Sequence, residues 1–290
     1  MTEKDKIQSQ EPKKDYYIDD ESKNMDREPI VESEKYKPAG KLKDKVTLIT
    51  GGDSGIGAAT AILYAKEGAK VAFTYYSSDN DAQRTKERLE ELGADVLTFK
   101  GDVGDESFAE KVISDITSEW GNIDVLVNHA GEQMYQESIL DITAEQIDRT
   151  YRTNIFSMFY FTKAAFPYLN EGASIITTSS ITAYKGNPNL IDYSGTNGAI
   201  VSFTRSLSQN KEIIEKKVRV NSVAPGPIWT PLIPATFPEE ALAGWGKSGA
   251  LGRPGEAYEL APAYVYLASD DSSYVTGQTI HVNGGEVING

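Results

Sequence analysis

Three glycines, Gly51, Gly55 and Gly57, stand in the run Lys45-Val46-Thr47-Leu48-Ile49-Thr50-Gly51-Gly52-Asp53-Ser54-Gly55-Ile56-Gly57, between an apolar β-type stretch and an alanine-rich helical one. Residues of these types at this spacing can hold a pyrophosphate. Glycine lets the backbone turn sharply and approach a ligand, and a helix start offers unpaired N–H groups and a partial positive charge. An ordinary strand-to-helix turn uses glycine as well, so the loop alone leaves both readings open. A triphosphatase-type phosphate loop is excluded, because that loop ends in Gly-Lys-Ser/Thr and this one runs Gly57-Ala58-Ala59. Further along lie other groups with chemistry of their own: Asn128-His129-Ala130-Gly131, Asn154, Ser179-Ser180, and Tyr193 with Asn197 four residues after it on the same helix face.

The elements needed to position these groups follow from hydrophobic patterning. From Lys43 the chain alternates strand and helix, the order that yields a parallel sheet covered on both faces. Strands are expected at 46–50, 70–75, 95–100, 125–128, 174–179, 219–224 and 279–282, with helices near 56–67, 80–92, 105–119, 143–169, 192–215 and 256–268. The fold class is therefore α/β, a doubly wound Rossmann fold with a seven-stranded, mostly parallel sheet and helices on both faces. Residues 41–290 read as one domain, and 225–254, dense in Pro, Gly, Trp and Ala, as a substrate lid. Residues 1–40 are polar and charged and read as a tail or as an arm against the body or a neighbouring subunit, with Tyr16, Tyr17, Ile18, Pro29, Ile30, Val31 and Tyr36 as anchors. With 43 acidic against 29 basic residues the net charge is −14, which disfavours nucleic acid and anionic membranes as partners. The absence of cysteine excludes disulfides, thiolate catalysis and zinc–thiolate sites, and no metal is called for. No secretory signal or membrane-length apolar run is present, so a soluble cytoplasmic protein is expected.

Taken in order, these motifs resemble the short-chain dehydrogenase/reductase family from about Lys43 to Gly285. Thr50-Gly-Gly-Asp-Ser-Gly-Ile-Gly57 is similar to its Thr-Gly-x-x-x-Gly-x-Gly turn, and Asn128-His-Ala-Gly131 to its Asn-Asn-Ala-Gly with one substitution. Pro225-Gly226 follows the sixth strand, and Tyr274 to Gly285 looks like its C-terminal strand signature. The N-terminal extension further resembles a bacterial, stress-associated subgroup. The resemblance implies a nicotinamide cofactor bound by Gly51, Asp53, Ser54, Gly55, Ile56, Gly57, Tyr75, Asp102, Val103, Asn128, Ala130, Gly131, Pro225, Gly226, Ile228 and Thr230, together with Tyr193 and Asn197. It implies hydride transfer to a carbonyl carbon, with Tyr193 supplying the proton, Ser180 polarising the carbonyl oxygen and Asn154 holding a water in the proton path. It also implies a homotetramer. Local sequence offers plainer alternatives: Asp102 as a turn carboxylate, Ser180 as a strand-end hydroxyl, Tyr193 as a packing residue, Asn154 as a helix kink.

One position departs from the pattern. The family reads Tyr-x-x-x-Lys, and this chain reads Tyr193-Ser-Gly-Thr-Asn197. An ammonium there would favour the phenolate by roughly two pKa units, so its absence lowers the phenolate population on the order of a hundredfold near neutral pH. Lys163 and Lys185 lack the spacing to replace it. Two functions stay open: an oxidoreductase weakened by Asn197, and a catalytically impaired NAD-binding protein with a structural or sensing role. A nucleotide-sugar enzyme is disfavoured, since little chain follows the sixth strand to build a second domain. NAD is favoured over NADP, because Tyr75-Tyr76-Ser77-Ser78-Asp79 and Asp53 offer no base to a 2′-phosphate. The substrate pocket is expected between Glu132-Gln133-Met134, Ile181, Thr182, Tyr184, Asn187 and the 227–245 segment, and to take a small or medium carbonyl compound.

Overall fold

The protein is described from a computed structural model covering Met25 and residues 27–286. Tyr16, Tyr17 and Ile18 lie outside the described residues. Strands β1 (Val46–Ile49), β2 (Lys70–Tyr75), β3 (Val96–Lys100), β4 (Ile123–Asn128), β5 (Leu169–Thr178) and β6 (Arg219–Pro225) are followed by the short β7 (Ile228–Trp229) and β8 (Gly255–Glu256) and by β9 (Thr279–Val282). Helices are α1 (Gly55–Lys66), α2 (Asp79–Glu91), α3 (Glu106–Trp120), α4 (Ala144–Tyr151), α5 (Ser157–Ala165), α6 (Thr182–Lys185), α7 (Ile191–Ser208), α8 (Lys211–Glu215), α9 (Leu232–Thr236), α10 (Glu239–Leu242) and α11 (Ala261–Ala268).

Seven strands form one sheet in the order β3-β2-β1-β4-β5-β6-β9, every neighbouring pair parallel, and β7 pairs β8 separately. Side chains alternate between the two faces. Ile49, Val71, Phe73 and Val125 pack with α1 and α11, while Leu48, Ala72 and Leu126 pack with α3 and α5. Burial on both faces is why these strands read as nearly continuous apolar runs. β1 and β4 lie side by side, and the chain leaves them toward opposite faces. That is the switch point above which doubly wound sheets open a crevice.

Three helices depart from the expected ones. The 143–169 segment is not one helix: α4 passes into a π-helical turn over Arg152–Phe156, then α5, and the chain enters β5 at Leu169. Pro167 ends the helical part in a 3-10 turn, having no N–H to continue it. The 192–215 segment breaks at Gln209, where Asn210 accepts from Glu212 N at 3.0 Å and caps α8. The 256–268 segment opens as a 3-10 turn over Ala257–Glu259 and becomes α-helical only from Ala261.

Ahead of β1, Tyr36 and Val31 pack on the core. The fully buried Glu67 accepts from Ala39 N at 3.1 Å and Lys41 N at 2.7 Å and takes the Tyr36 hydroxyl as well. Among the described residues no helix is long and apolar enough to cross a membrane.

Candidate active site

A cleft of about 470 Å³ opens along the C-terminal edge of the sheet, a volume suited to a dinucleotide half and a small substrate. Its floor at one end is the glycine loop. Gly51 has φ +68° and Gly55 φ +51°, conformations that glycine adopts without penalty. A Cβ on Gly57 would lie 1.9 Å from Gly51 O, so α1 can start this close to β1 only without one. Ser54 precedes α1 and makes no side-chain capping bond, which leaves the first-turn amides to solvent or to a ligand. The Thr50 hydroxyl accepts from His129 N at 2.9 Å and Ala130 N at 3.0 Å, tying the end of β4 beside the loop. A cradle of free amides and bare backbone fits a pyrophosphate, and the residues present fit a nicotinamide dinucleotide.

Gly51, Asp53, Ser54, Gly55, Ile56, Tyr75, Asp102, Val103, Ala130, Gly131, Pro225, Gly226, Ile228 and Thr230 all line the cleft. Two expected binding residues do not. Gly57 is buried in the loop–helix packing, and Asn128 is turned into the core, where its Nδ2 donates to Thr162 Oγ1 at 3.2 Å. Met134 and Tyr184 also fall outside the cleft wall, Tyr184 packing edge-on against His281 instead.

Asp102 combines two roles: Oδ1 closes a turn by accepting from Gly104 N at 2.8 Å, and Oδ2 pairs with Arg149 at 2.5 Å. Arg149, on α4, also holds Glu132 at 2.9 Å and lies 5.2 Å from the Tyr76 ring centre. Burial raises the Glu132 carboxyl above its ordinary range even with Arg149 and Thr153 opposing it. No spacing rule links position 149 to the strand ends, so the sequence reading missed this arginine.

The other end carries the hydroxyls. Ser180, 7 % exposed at the end of β5, accepts from Thr182 N at 3.1 Å. Tyr193, in the first turn of α7, shares the cleft wall with it, and burial raises the phenol above its ordinary pKa while Ser180 and Asn197 pull weakly the other way. Asn197 is buried, and its Nδ2 donates to Tyr193 O at 2.9 Å. Asn154 sits on the π-helical turn, an irregularity that concentrates at functional sites. Its Oδ1 accepts from Glu132 N at 2.8 Å, and its Nδ2 donates to Glu132 O at 2.9 Å and Thr196 Oγ1 at 3.1 Å. It thereby clips the loop after β4 to α7.

His129 Nδ1 lies 2.9 Å from Thr178 Oγ1, itself 2.7 Å from the Tyr264 hydroxyl, and burial lowers the imidazole to about 4. Lys185 lines the cleft and is paired with Glu286. Lys163 pairs with Glu106, away from the cleft.

The family model described as enoyl-(acyl carrier protein) reductase matches residues 51–286. The chain is 56 % identical over 260 residues to the uncharacterized oxidoreductase YhdF of Bacillus subtilis, covering 90 % of this chain and 89 % of that one. It is 46 % identical over 272 residues to NADPH-dependent aldehyde reductase 1, chloroplastic, of Arabidopsis thaliana, covering 91 % and 94 %. Among solved structures, a short-chain dehydrogenase from Burkholderia cenocepacia in complex with NADP superimposes with a TM-score of 0.79 at 29 % identity, covering 84 % of this chain and 98 % of that one. A seven-stranded Rossmann sheet, a glycine-floored crevice at its switch point and these relatives lead to one conclusion: the chain is an oxidoreductase of the short-chain dehydrogenase/reductase family.

Proposed function

We propose that the protein interconverts a small carbonyl compound and its alcohol with a nicotinamide cofactor, NAD in preference to NADP, and that Tyr193 is its acid/base group. The observation that carries this reading is the presence of Ser180 and Tyr193 on one wall of a cleft whose far end is the glycine loop 51–57. When bound, the cofactor supplies or accepts a hydride. The Tyr193 hydroxyl donates its proton to the substrate oxygen in reduction and withdraws it in oxidation, and Ser180 donates a hydrogen bond to the same oxygen. The phenol is held above its ordinary pKa, so its resting form at neutral pH is protonated. Asn154 keeps the loop after β4 at a set distance from α7, and Asn197 takes the lysine position as a neutral donor. Segment 225–254 serves as a lid over the substrate end, where Phe237 and Trp245 exclude water.

The preference for NAD rests on charge. Asp53, Tyr75, Tyr76 and Ser77 line the ribose end, while Lys100 is paired with Asp79 and Arg149 with Asp102 and Glu132. The Arabidopsis relative and the Burkholderia structure carry NADPH and NADP in their names, so the cofactor ratio is a direct test. We further propose a cytoplasmic homotetramer whose subunits meet through α3, the helical segment 144–165 and β9; Phe156, on the π-helical turn, and Phe159, on α5, are exposed.

Calorimetric titration with both dinucleotides, followed by turnover across aldehydes, ketones and sugars, tests the reading. Tighter NADH binding with carbonyl-dependent oxidation is expected, and a folded protein that binds neither dinucleotide would refute it. Binding without turnover, restored by Asn197→Lys, would favour the impaired sensing role that the uncharged position 197 suggests.

A further inference from the structure

The segment ahead of the domain touches both sides of the cleft without entering it. Arg27 O accepts from Trp229 Nε1 at 2.7 Å, and the Arg27 guanidinium pairs with Glu256 at 2.6 Å while lying 5.6 Å from the centre of the Trp229 ring. Ile30 extends the junction: its N–H donates to Glu256 at 3.3 Å and its carbonyl accepts from Tyr258 N at 3.1 Å. Trp229 and Glu256 are register partners in the β7–β8 pair that opens and closes the lid segment. The following residues of the arm hold the cofactor side. Glu28 reaches Arg84 on α2 at 3.4 Å. Glu32 bridges Lys66 on α1 at 2.5 Å and Arg88 on α2 at 2.9 Å, and these cations hold its carboxyl down to about 2.

Trp229 itself does not line the cleft, but its chain neighbours Ile228 and Thr230 do. Its ring packs edge-on against Trp245 at 6.1 Å, Trp245 against Phe237 at 6.4 Å, and Phe237 against Tyr135 at 5.4 Å. Phe237 and Trp245 form the cleft wall. A continuous line of packed groups therefore runs from Arg27 to the substrate end.

We propose that residues 27–36 are a brace that holds the lid against the cofactor-binding half, and that Arg27 and Trp229 are positioning residues for the carbonyl substrate. This rests on the carbonyl reading of the cleft. The arm joins the lid and its flank through one partly exposed ion pair and three hydrogen bonds, of which Arg27→Ala removes the salt-screened pair and Trp229→Phe the indole bond, whereas the sheet is held by buried apolar surface. Lid closure is thus weaker than the fold and separable from it.

The test uses the full chain with Arg27→Ala, Trp229→Phe and, as a control, Lys217→Ala, whose exposed pair with Glu171 lies outside the brace. Hydrogen exchange across 228–246 is expected to quicken about tenfold in the first two variants, with exchange in β1 and β4 unchanged. The KM for the carbonyl substrate should rise several-fold, while kcat and the dinucleotide Kd stay within about twofold. About 0.5 M sodium chloride should move the wild-type lid the same way and add little to Arg27→Ala. Unchanged lid exchange in both variants overturns the brace, as does quickening spread evenly over the sheet. Faster lid exchange with an unaltered KM overturns the positioning role. If no dinucleotide binds and no carbonyl turns over, the carbonyl reading of the cleft falls, and lid exchange still decides the brace on its own.

Discussion

Replacing Asn197 by lysine tests how the active site sets its proton chemistry. Residues four apart on a helix carry their Cβ atoms about 5–6 Å from each other, so an ammonium at 197 can stand about 5 Å from the Tyr193 oxygen. At an effective dielectric of about 20 that separation favours the phenolate by about 3 kcal/mol, or roughly two pKa units. Position 197 is 2 % exposed, so solvent screens the pair little, and the cost of burying the ammonium falls on the stability of the variant rather than on the phenol. In the native chain the opposing force is burial, which already raises the phenol above its ordinary value. Alcohol oxidation requires the phenolate, and its kcat/KM should climb about tenfold per pH unit until the phenol titrates. In Asn197→Lys the midpoint of that climb should fall by roughly two units. At any single pH detailed balance makes both directions change by the same factor once cofactor affinity is counted, so the midpoint is the diagnostic quantity. Superimposable pH profiles for two folded proteins that both bind the dinucleotide would refute the reasoning.

Three further outcomes follow from the geometry. His129 is held near 4 in the folded protein against about 6.5 in the unfolded chain, so its contribution is intact above pH 6.5 and is lost as the pH falls toward 4; urea titrations should show about 2 kcal/mol more loss between pH 7 and 5 in the native chain than in His129→Asn. Gly57→Ala must displace the Gly51 carbonyl from which its methyl would stand 1.9 Å, and calorimetry should show dinucleotide affinity falling by at least about tenfold even where the fold survives. Arg149→Met leaves Asp102 and Glu132 facing each other without their cation; thermal unfolding should register a loss of about 1–3 kcal/mol, and a shift confined to dinucleotide affinity would contradict the structural part of its role.

Much of this architecture is legible in the chain. The strand–helix alternation from Lys43 and the glycines at 51, 55 and 57 are local signals, because a parallel sheet buries both faces of its strands and a pyrophosphate turn needs bare backbone. Ser180 and Tyr193 are singled out by the resemblance to the family's motifs, as is the lysine position that Asn197 occupies one helical turn after Tyr193. Other features depend on partners distant in sequence. The glycine spacing and the family resemblance put Gly57 among the ligand-binding residues, yet a Cβ there would stand 1.9 Å from Gly51 O and the residue lies in the loop–helix packing. Asn128 is expected among the cofactor-binding residues, but its side chain is turned into the core, where it donates to Thr162. The π-helical turn that aims Asn154 has no composition of its own, arising where α4, the loop after β4 and α7 converge. Arg149 enters the site because α4 brings it to the ends of β3 and β4, and Arg27 meets Trp229 and Glu256 because the arm lies against β7 and β8. Sequence alone determined the sheet, the glycine turn between β1 and α1 and the uncharged residue one helical turn after Tyr193, since each is written in residues adjacent in the chain or one helical turn apart. Only the tertiary structure decided which side chains face the cleft and which groups tie residues 27–36 to β7 and β8, because a side chain's direction is settled by neighbours that folding brings from elsewhere in the chain.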